Sequence, residues 1–353
     1  MTALSPSDLK GKVQTVTGLV APQTLGAALM HEHLFIDLNP PKFRTTPLPD
    51  GVSDAPIDLC NCFRARYGQG HFTDNYRIDD FAVVRHEVEE MQRAGGRTLV
   101  DLTVGGLGPR PLLLRRMAEE TGVQLVMGCG HYVEEYQMAE TAEMSVDALA
   151  AQMTAQILEG AWGTDVRAGI IGEIGCQTPW TDREKRVMEG AIAAQKATGA
   201  ALNVHPGREP HQPQEVVDFV TARGGAPERL ILSHIDRTIF DDDTLFRLAD
   251  TGCMIEYDLF GWEDSYYWPN PDIDLPNDAM RVRWLRKLAE RGHLDQILIS
   301  HDVCTKGRLE QFGGHGFQHI FANVVPLLLR RGFTQGMVDR ILIDNPARLL
   351  TFV

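Results

Sequence analysis

The 353-residue chain has little of what marks several protein classes. Six cysteines are too few for a disulfide scaffold, and Cys129, Cys176 and Cys253 sit in or beside apolar runs, where a thiol packs as a small hydrophobe. Cys60 and Cys62 resemble half of a metal site, but no second cysteine pair completes it, so free loop thiols are expected there. Apolar runs such as Val-Val-Pro-Leu-Leu-Leu fall far short of the roughly 18 residues that read as a membrane span, and MTALSPSDLKGKVQT lacks the apolar core of a signal peptide. A cytoplasmic protein without a membrane partner is expected. Basic charge is scarce: 34 Lys and Arg against 48 Asp and Glu give −14, with no basic run, which argues against a nucleic-acid partner and leaves small molecules.

What remains is globular in composition, 43% hydrophobic and 23% charged, with length enough for a substantial core. From Arg97 onward, short β-branched runs alternate with helical stretches. The runs are 98–103, 124–127, 169–172, 201–204, 230–233, 253–257 and 296–300, and Ala28-Leu29-Met30 supplies an eighth. Each is too short for a helix and too continuously apolar for a one-sided sheet, as expected of parallel strands covered on both faces. Between them Phe81, Val84, Val88 and Met91 follow helical spacing behind a capping Asp79 or Asp80. Similar stretches cover about 110–121, 144–161, 181–198, 212–224, 240–251, 277–292 and 318–331. The pattern predicts an α/β (β/α)8 TIM barrel formed by residues 1–353 as a single domain. A doubly wound sheet is the runner-up, but no strand runs into a G-x-G-x-x-G or G-x-x-x-x-G-K-[ST] loop. Residues 11–26 read as a short N-terminal β-hairpin at the closed end of the barrel, and the proline-containing stretch 39–78 as a long irregular loop over the C-terminal face.

Polar residues concentrate at strand ends. His31-Glu32-His33 follows the first strand, Glu173 closes the fourth, His205 the fifth, His234 the sixth and His301-Asp302 the eighth, all on the face where barrels build their sites. Alternation along a strand lets His31 and His33 point into the barrel while Glu32 turns away. His31, His33, Glu173, His205, His234 and Asp302 therefore read as ligands of two divalent ions, with Glu173 bridging and Asp302 also taking a proton. Two such ions outweigh two carboxylates and a bridging hydroxide by a single positive charge, which neutral imidazoles tolerate. His71, His86, His211 and His293 read as ordinary polar residues.

The segments LGAALMHEHLFIDL, GIIGEIGCQT, NVHPGR, LSHIDRTI, GCMIEYDLFG, ISHDVCTKGRLEQFGGHGFQHI and ILIDNPARLLTF resemble the phosphotriesterase branch of the amidohydrolase superfamily, within it the phosphotriesterase-related, resiniferatoxin-binding type. The resemblance implies that His31, His33, Glu173 and Asp302 hold one metal and Glu173, His205 and His234 the other. It implies a possible homodimer and two divalent ions, Zn2+ first, with Mn2+, Co2+ or Fe2+ according to supply. Two departures from phosphotriesterase itself stand out. Glu173 replaces a carboxylated lysine, and no histidine lies between His234 and His293 to serve as a proton relay, which argues against organophosphate hydrolysis as the main activity.

The expected chemistry is hydrolysis of a small acyl compound, an amide of the N-acyl amino acid or N-acetyltaurine type first and a lactone or a carboxylic or phosphoric ester second. A non-catalytic small-molecule binder is the alternative of another class. Arg208, Lys306 and Arg308 are expected to bind an anionic substrate group, His131, Tyr132, Tyr257, Asp258 and Trp262 to line the walls, and Asp236 to support a ligand imidazole or carry the proton away.

Overall fold

A computed structural model describes residues 3–44, 46–267 and 269–353. Eight parallel strands form the sheet: β1 Ala28–Glu32, β2 Thr98–Asp101, β3 Gln124–Cys129, β4 Ile170–Gly175, β5 Leu202–His205, β6 Leu230–Leu232, β7 Met254–Tyr257 and β8 Ile297–Ile299. They pair in sequence order. Between β8 and β1 the ring is drawn together by the Asp302 amide on the His31 carbonyl at 3.1 Å and the His31 amide on Ser300 Oγ at 3.0 Å. The expected (β/α)8 barrel is thus present, nearly closed.

Helices follow the strands: α1 Phe81–Ala94, α2 Pro111–Thr121, α3 Val146–Leu158, α4 Asp182–Thr198, α5 Gln212–Ala222, α6 Asp242–Asp250 and α7 Asp278–Glu290. The eighth starts as a π-helical turn, Ile320–Val324, and continues as Val325–Arg330. The expected Asp80 cap is present, its carboxylate accepting from the amides of Ala82 and Val83, and at the start of α4 Thr181 and Glu184 form a reciprocal capping box. Val84, Val88 and Met91 bury the inner face of α1.

Inside the barrel, one inward residue per strand makes an apolar floor: Met30, Val100, Val126, Ile170, Ala201, Ile231, Met254 and Leu298. The hairpin, Val13–Thr15 against Gly18–Val20, plugs this floor from below with Val13. At the other end, residues 39–78 are less irregular than expected. Ile36–Asp37 pairs with Arg77–Ile78, Val52–Ser53 pairs with His71–Phe72, and Cys62–Arg66 is a helical turn. These short ladders fold the segment back over the open face, where Phe43, Ala65 and Tyr76 help line a cavity.

Candidate metal centre

Above the apolar floor the inward positions of β5 to β8 are polar. Along β5 to β8 the alternation is regular: Ala201 is followed by Asn203 and His205, Ile231 by Ser233, Met254 by Glu256 and Asp258, and Leu298 by Ser300 and Asp302. In β1 and β4 the alternation breaks. The registers Leu29↔Leu99 then Glu32↔Asp101, and Ile171↔Leu202 then Ile174↔Val204, each give one strand an extra residue. Each bulge flips the alternation, so that His31 and Glu173 point inward although Met30 and Ile170 do so below them. Gly172 allows the second bulge: its φ is +117°, and a Cβ there would collide with the Asn203 carbonyl.

The six side chains converge. Glu173 Oε2 lies 2.9 Å from His205 Nδ1 and 3.6 Å from both His31 Nε2 and His234 Nε2, while Oε1 lies 3.4 Å from His33 Nε2. Asp302 Oδ1 is 3.3 Å from His33 Nε2 and 3.8 Å from His31 Nε2, and His234 Nε2 is 2.8 Å from His205 Nδ1. Three ligand triads fall within ion-binding reach: His31, His33 and Glu173; His31, His234 and Asp302; and Glu173, His205 and His234. His31 Nε2, fully buried, has no hydrogen-bond partner and faces this cluster. An orphaned imidazole nitrogen among carboxylates and further imidazole nitrogens is the donor set that divalent transition metals take.

The nitrogens on the far sides of the rings are braced. His33 Nδ1 meets Thr103 Oγ1 at 2.9 Å. His234 Nδ1 lies 2.8 Å from Asp258 Oδ1, and the His234 amide donates to the same carboxylate. His31 Nδ1 lies 3.1 Å from Asp258 Oδ2 and 3.4 Å from Glu256 Oε2. Asp258 therefore orients two rings and holds His234 at φ 58°, a conformation its own side chain disfavours. Burial alone would lower the His33 imidazole, but the Asp302 and Glu173 carboxylates push it up to about 9. Burial would likewise raise Asp258, yet His234 and His31 hold it far below the usual carboxylate range. His205 goes the other way, down to about 3, through burial and the neighbouring His234.

The other predicted residues separate. A cavity of about 1020 Å3 opens above the cluster and is lined by His205, His234 and Asp302, and by Tyr132, Arg208, Trp262 and Arg308 as expected. Tyr257 is not among its walls. One step out of phase with Glu256 and Asp258, it points outward, fully buried, with Trp284 at 6.3 Å. His131 also turns away, with Nε2 2.7 Å from Gln152 Oε1. Lys306 is occupied by Asp74, its Nζ 2.5 Å from Oδ1. Asp236 supports no ligand ring: its Oδ2 accepts from Arg281 Nε at 2.7 Å and from the Leu259 amide, a buried ion pair behind the site. Asp258, expected in the wall, takes the bracing role foreseen for Asp236. Arg308 lies in the wall, but its Nη1 donates to the carbonyls of His301 and Asp302 and its guanidinium stacks 3.7 Å from the Trp262 ring centre, so it clamps the Asp302 backbone.

Several contributors escaped the sequence reading. Glu256 carried a signal, the i, i+2 spacing from Met254, whereas Thr103, Arg237 and Tyr267 carried none. Arg237 is buried, with Nη2 3.2 Å from His205 Nε2 and 3.1 Å from the Pro206 carbonyl. Glu32 turns outward as expected and ties β8 to β1, accepting from the amides of His301 and Val303. His71, read as ordinary, stacks on Tyr76 at the cavity rim.

Residues 11–350 match the model of the phosphotriesterase family. The chain is 41% identical to the N-acetyltaurine hydrolase of Salmo salar and 40% identical to that of Homo sapiens, in each case over 98% of this chain and 99% of the relative. The crystal structure of a resiniferatoxin-binding protein from Rhodobacter sphaeroides superimposes with a TM-score of 0.90 at 34% identity, covering 99% of this chain and 98% of that one. On this full-length match, the chain belongs to the phosphotriesterase family.

Proposed function

We propose that the protein is a binuclear-metal hydrolase that cleaves the amide of a small N-acyl compound with an anionic tail, N-acetyltaurine or an N-acyl amino acid first. The observation that carries the metal reading is the convergence of six buried ligand side chains, among them His31 with its orphaned Nε2. In this reading His31, His33, Glu173 and Asp302 hold one divalent ion and Glu173, His205 and His234 the second, with Zn2+ the ion best suited to the imidazole-rich set. Bound there, the ions would supply Lewis-acid polarisation of the acyl oxygen and water ionised near neutral pH.

The chain's own residues do the rest. Asp302 faces both the ligand cluster and the cavity, so its carboxylate can take the proton of the attacking water and pass it to the departing amine. The water oxygen bonds to the acyl carbon as the carbon–nitrogen bond breaks. Tyr132 stands beside His205, its hydroxyl 3.4 Å from Nδ1; burial raises the phenol, which keeps its proton and can donate a hydrogen bond to substrate. Arg308 fixes the Asp302 backbone, and Asp258 fixes two ligand rings. The amide is preferred because the N-acetyltaurine hydrolases match this chain end to end. Six free cysteines suit a reducing, cytoplasmic compartment.

The test is turnover by metal-replete protein on two panels, N-acyl amino acids with N-acetyltaurine, and lactones. Release of the free amine supports the reading, lactone opening without amide cleavage reverses the substrate assignment, and turnover on neither panel would favour a binding protein.

A further inference from the structure

The cavity walls carry more positive charge than the chemistry of the cluster needs, and its cations differ in one respect. Lys42 is paired with Glu135 at 3.2 Å, and Lys306, outside the walls, with Asp74. Arg66 donates to the Gly313 carbonyl. Among the described residues Arg237 and Arg308 pair with no carboxylate, but Arg237 spends both Nη groups, and Arg308 its Nη1, on backbone carbonyls. Arg208 alone among these wall arginines makes neither kind of bond. Its only hydrogen bond among the described residues runs from Nε to Tyr267 Oη at 3.3 Å, leaving both Nη groups without a partner. The phenols of Tyr267, Tyr132 and Tyr136 surround it, and the Arg237 guanidinium adds a second positive charge nearby. Arg208 is half-buried in the cavity wall, so its four N–H donors without a protein partner are available to a ligand there.

We infer that Arg208 and Tyr267 form an oxyanion subsite for the substrate's tail, a carboxylate or a sulfonate, with the two Nη groups donating to two of its oxygens. Tyr267 Oη accepts from Nε, so its own hydrogen is free to donate to the same anion. The Tyr267 ring is fixed edge-on against Trp262, with centroids 5.3 Å apart, so the phenol is not free to follow a wandering ligand. Arg208 stands three residues beyond His205 on the loop after β5 and lines the same cavity as His205 and Tyr132, whose ring centroids are 4.9 Å apart. Three residues of chain span at most about 10 Å, within reach of a tail joined to the acyl nitrogen through a short linker. This inference rests on the hydrolase reading for the identity of the reacting end, but not for the anion itself.

Three acetamides separate the possibilities: N-acetyltaurine, N-acetyl-β-alanine and N-ethylacetamide, which share the acyl group and differ in sulfonate, carboxylate or no charge. Wild type should favour one or both anions over the neutral amide. Arg208→Gln should raise KM for the anions about 10- to 100-fold, the range of a lost charge-assisted hydrogen bond, with kcat/KM for N-ethylacetamide within about 2-fold, while Arg208→Lys recovers part of the loss. Tyr267→Phe, which keeps the ring, should raise KM for the anions by a smaller factor. Binding of propane-1-sulfonate and butanoate, measured by calorimetry on metal-loaded protein, supplies a readout independent of turnover. The better-bound anion names the tail, and Arg208→Gln should weaken it at an unchanged metal content. Arg208-dependent binding by a protein that hydrolyses none of the amides would retain the subsite and remove the hydrolase reading. Equal anion binding and equal KM in wild type and Arg208→Gln would overturn the subsite.

Discussion

At the scale of single residues, the proposed reading gives Asp302 a second task beside metal binding. It touches His33 and also faces the cavity, so Asp302→Asn should lower kcat by about 10²–10⁴-fold, the range of a lost proton-transfer group. Substrate binding measured by calorimetry should change far less; a variant that kept its turnover would remove Asp302 from the proton path. Glu87 gives a prediction remote from the site. Its Oε1 accepts from the Glu310 amide while the buried Oε2 has no partner, and burial raises the carboxyl to about 7 despite that bond. The folded protein then holds this proton where the unfolded chain has lost it, so stability falls as pH rises from about 4.5 to about 7. Glu87→Gln should remove that part of the fall, on the order of 3 kcal/mol, visible as a flatter Tm between pH 5 and 8. Ligand residues were legible because histidine and carboxylate are conspicuous at strand ends. Side-chain direction was read less surely: Tyr257 was assigned inward although Glu256 and Asp258, in phase with Met254 on a regular strand, occupy that face.

At the scale of elements, the site depends on two irregularities that place the right residues on the wrong parity. A strict alternation from Met30 would bury Glu32 in the barrel and turn His31 out, and one from Ile170 would turn Glu173 out. The bulge in β4 announces itself through Gly172, an isolated glycine in a strand; that in β1 has no such mark, because an extra residue is defined by its partner strand. Gly172→Ala should cost about 2–4 kcal/mol, as a Cβ forced into occupied space does, and should lower metal content by disordering Glu173. Elemental analysis of purified variant protein checks this, and full metal occupancy in a folded Ala variant would show that the bulge does not aim Glu173. The start of α1 was readable from its cap, Asp80, which acts within one turn. The pairings of residues 39–78 were not, since a two-residue ladder carries no periodicity.

At the scale of the molecule, the barrel separates stability from chemistry along its axis. The hairpin and the apolar floor lie at one end, the ligand cluster above them, and the cavity under the 39–78 segment at the other. Val13→Ala, which hollows the floor, should destabilise the fold by about 2 kcal/mol while leaving metal content and KM unchanged; a shift in KM would show that the two ends are coupled. The architecture was legible because strand–helix alternation extends over the whole chain, and the convergence of distant strand ends follows from closing that alternation into a ring. The cationic lining was only half legible. Arg208, Lys306 and Arg308 are alike in sequence, and only the folded contacts with Asp74, with the carbonyls of His301 and Asp302 and with Tyr267 assign them different tasks.

The central claim, that six converging side chains hold two ions for acyl hydrolysis, is tested most directly by titrating metal-free protein with Zn2+ while following taurine release from N-acetyltaurine. The account predicts that the rate climbs until two equivalents are bound and then levels off. Saturation at a single equivalent would contradict the binuclear centre, and absence of taurine release at every ratio would contradict the proposed reaction.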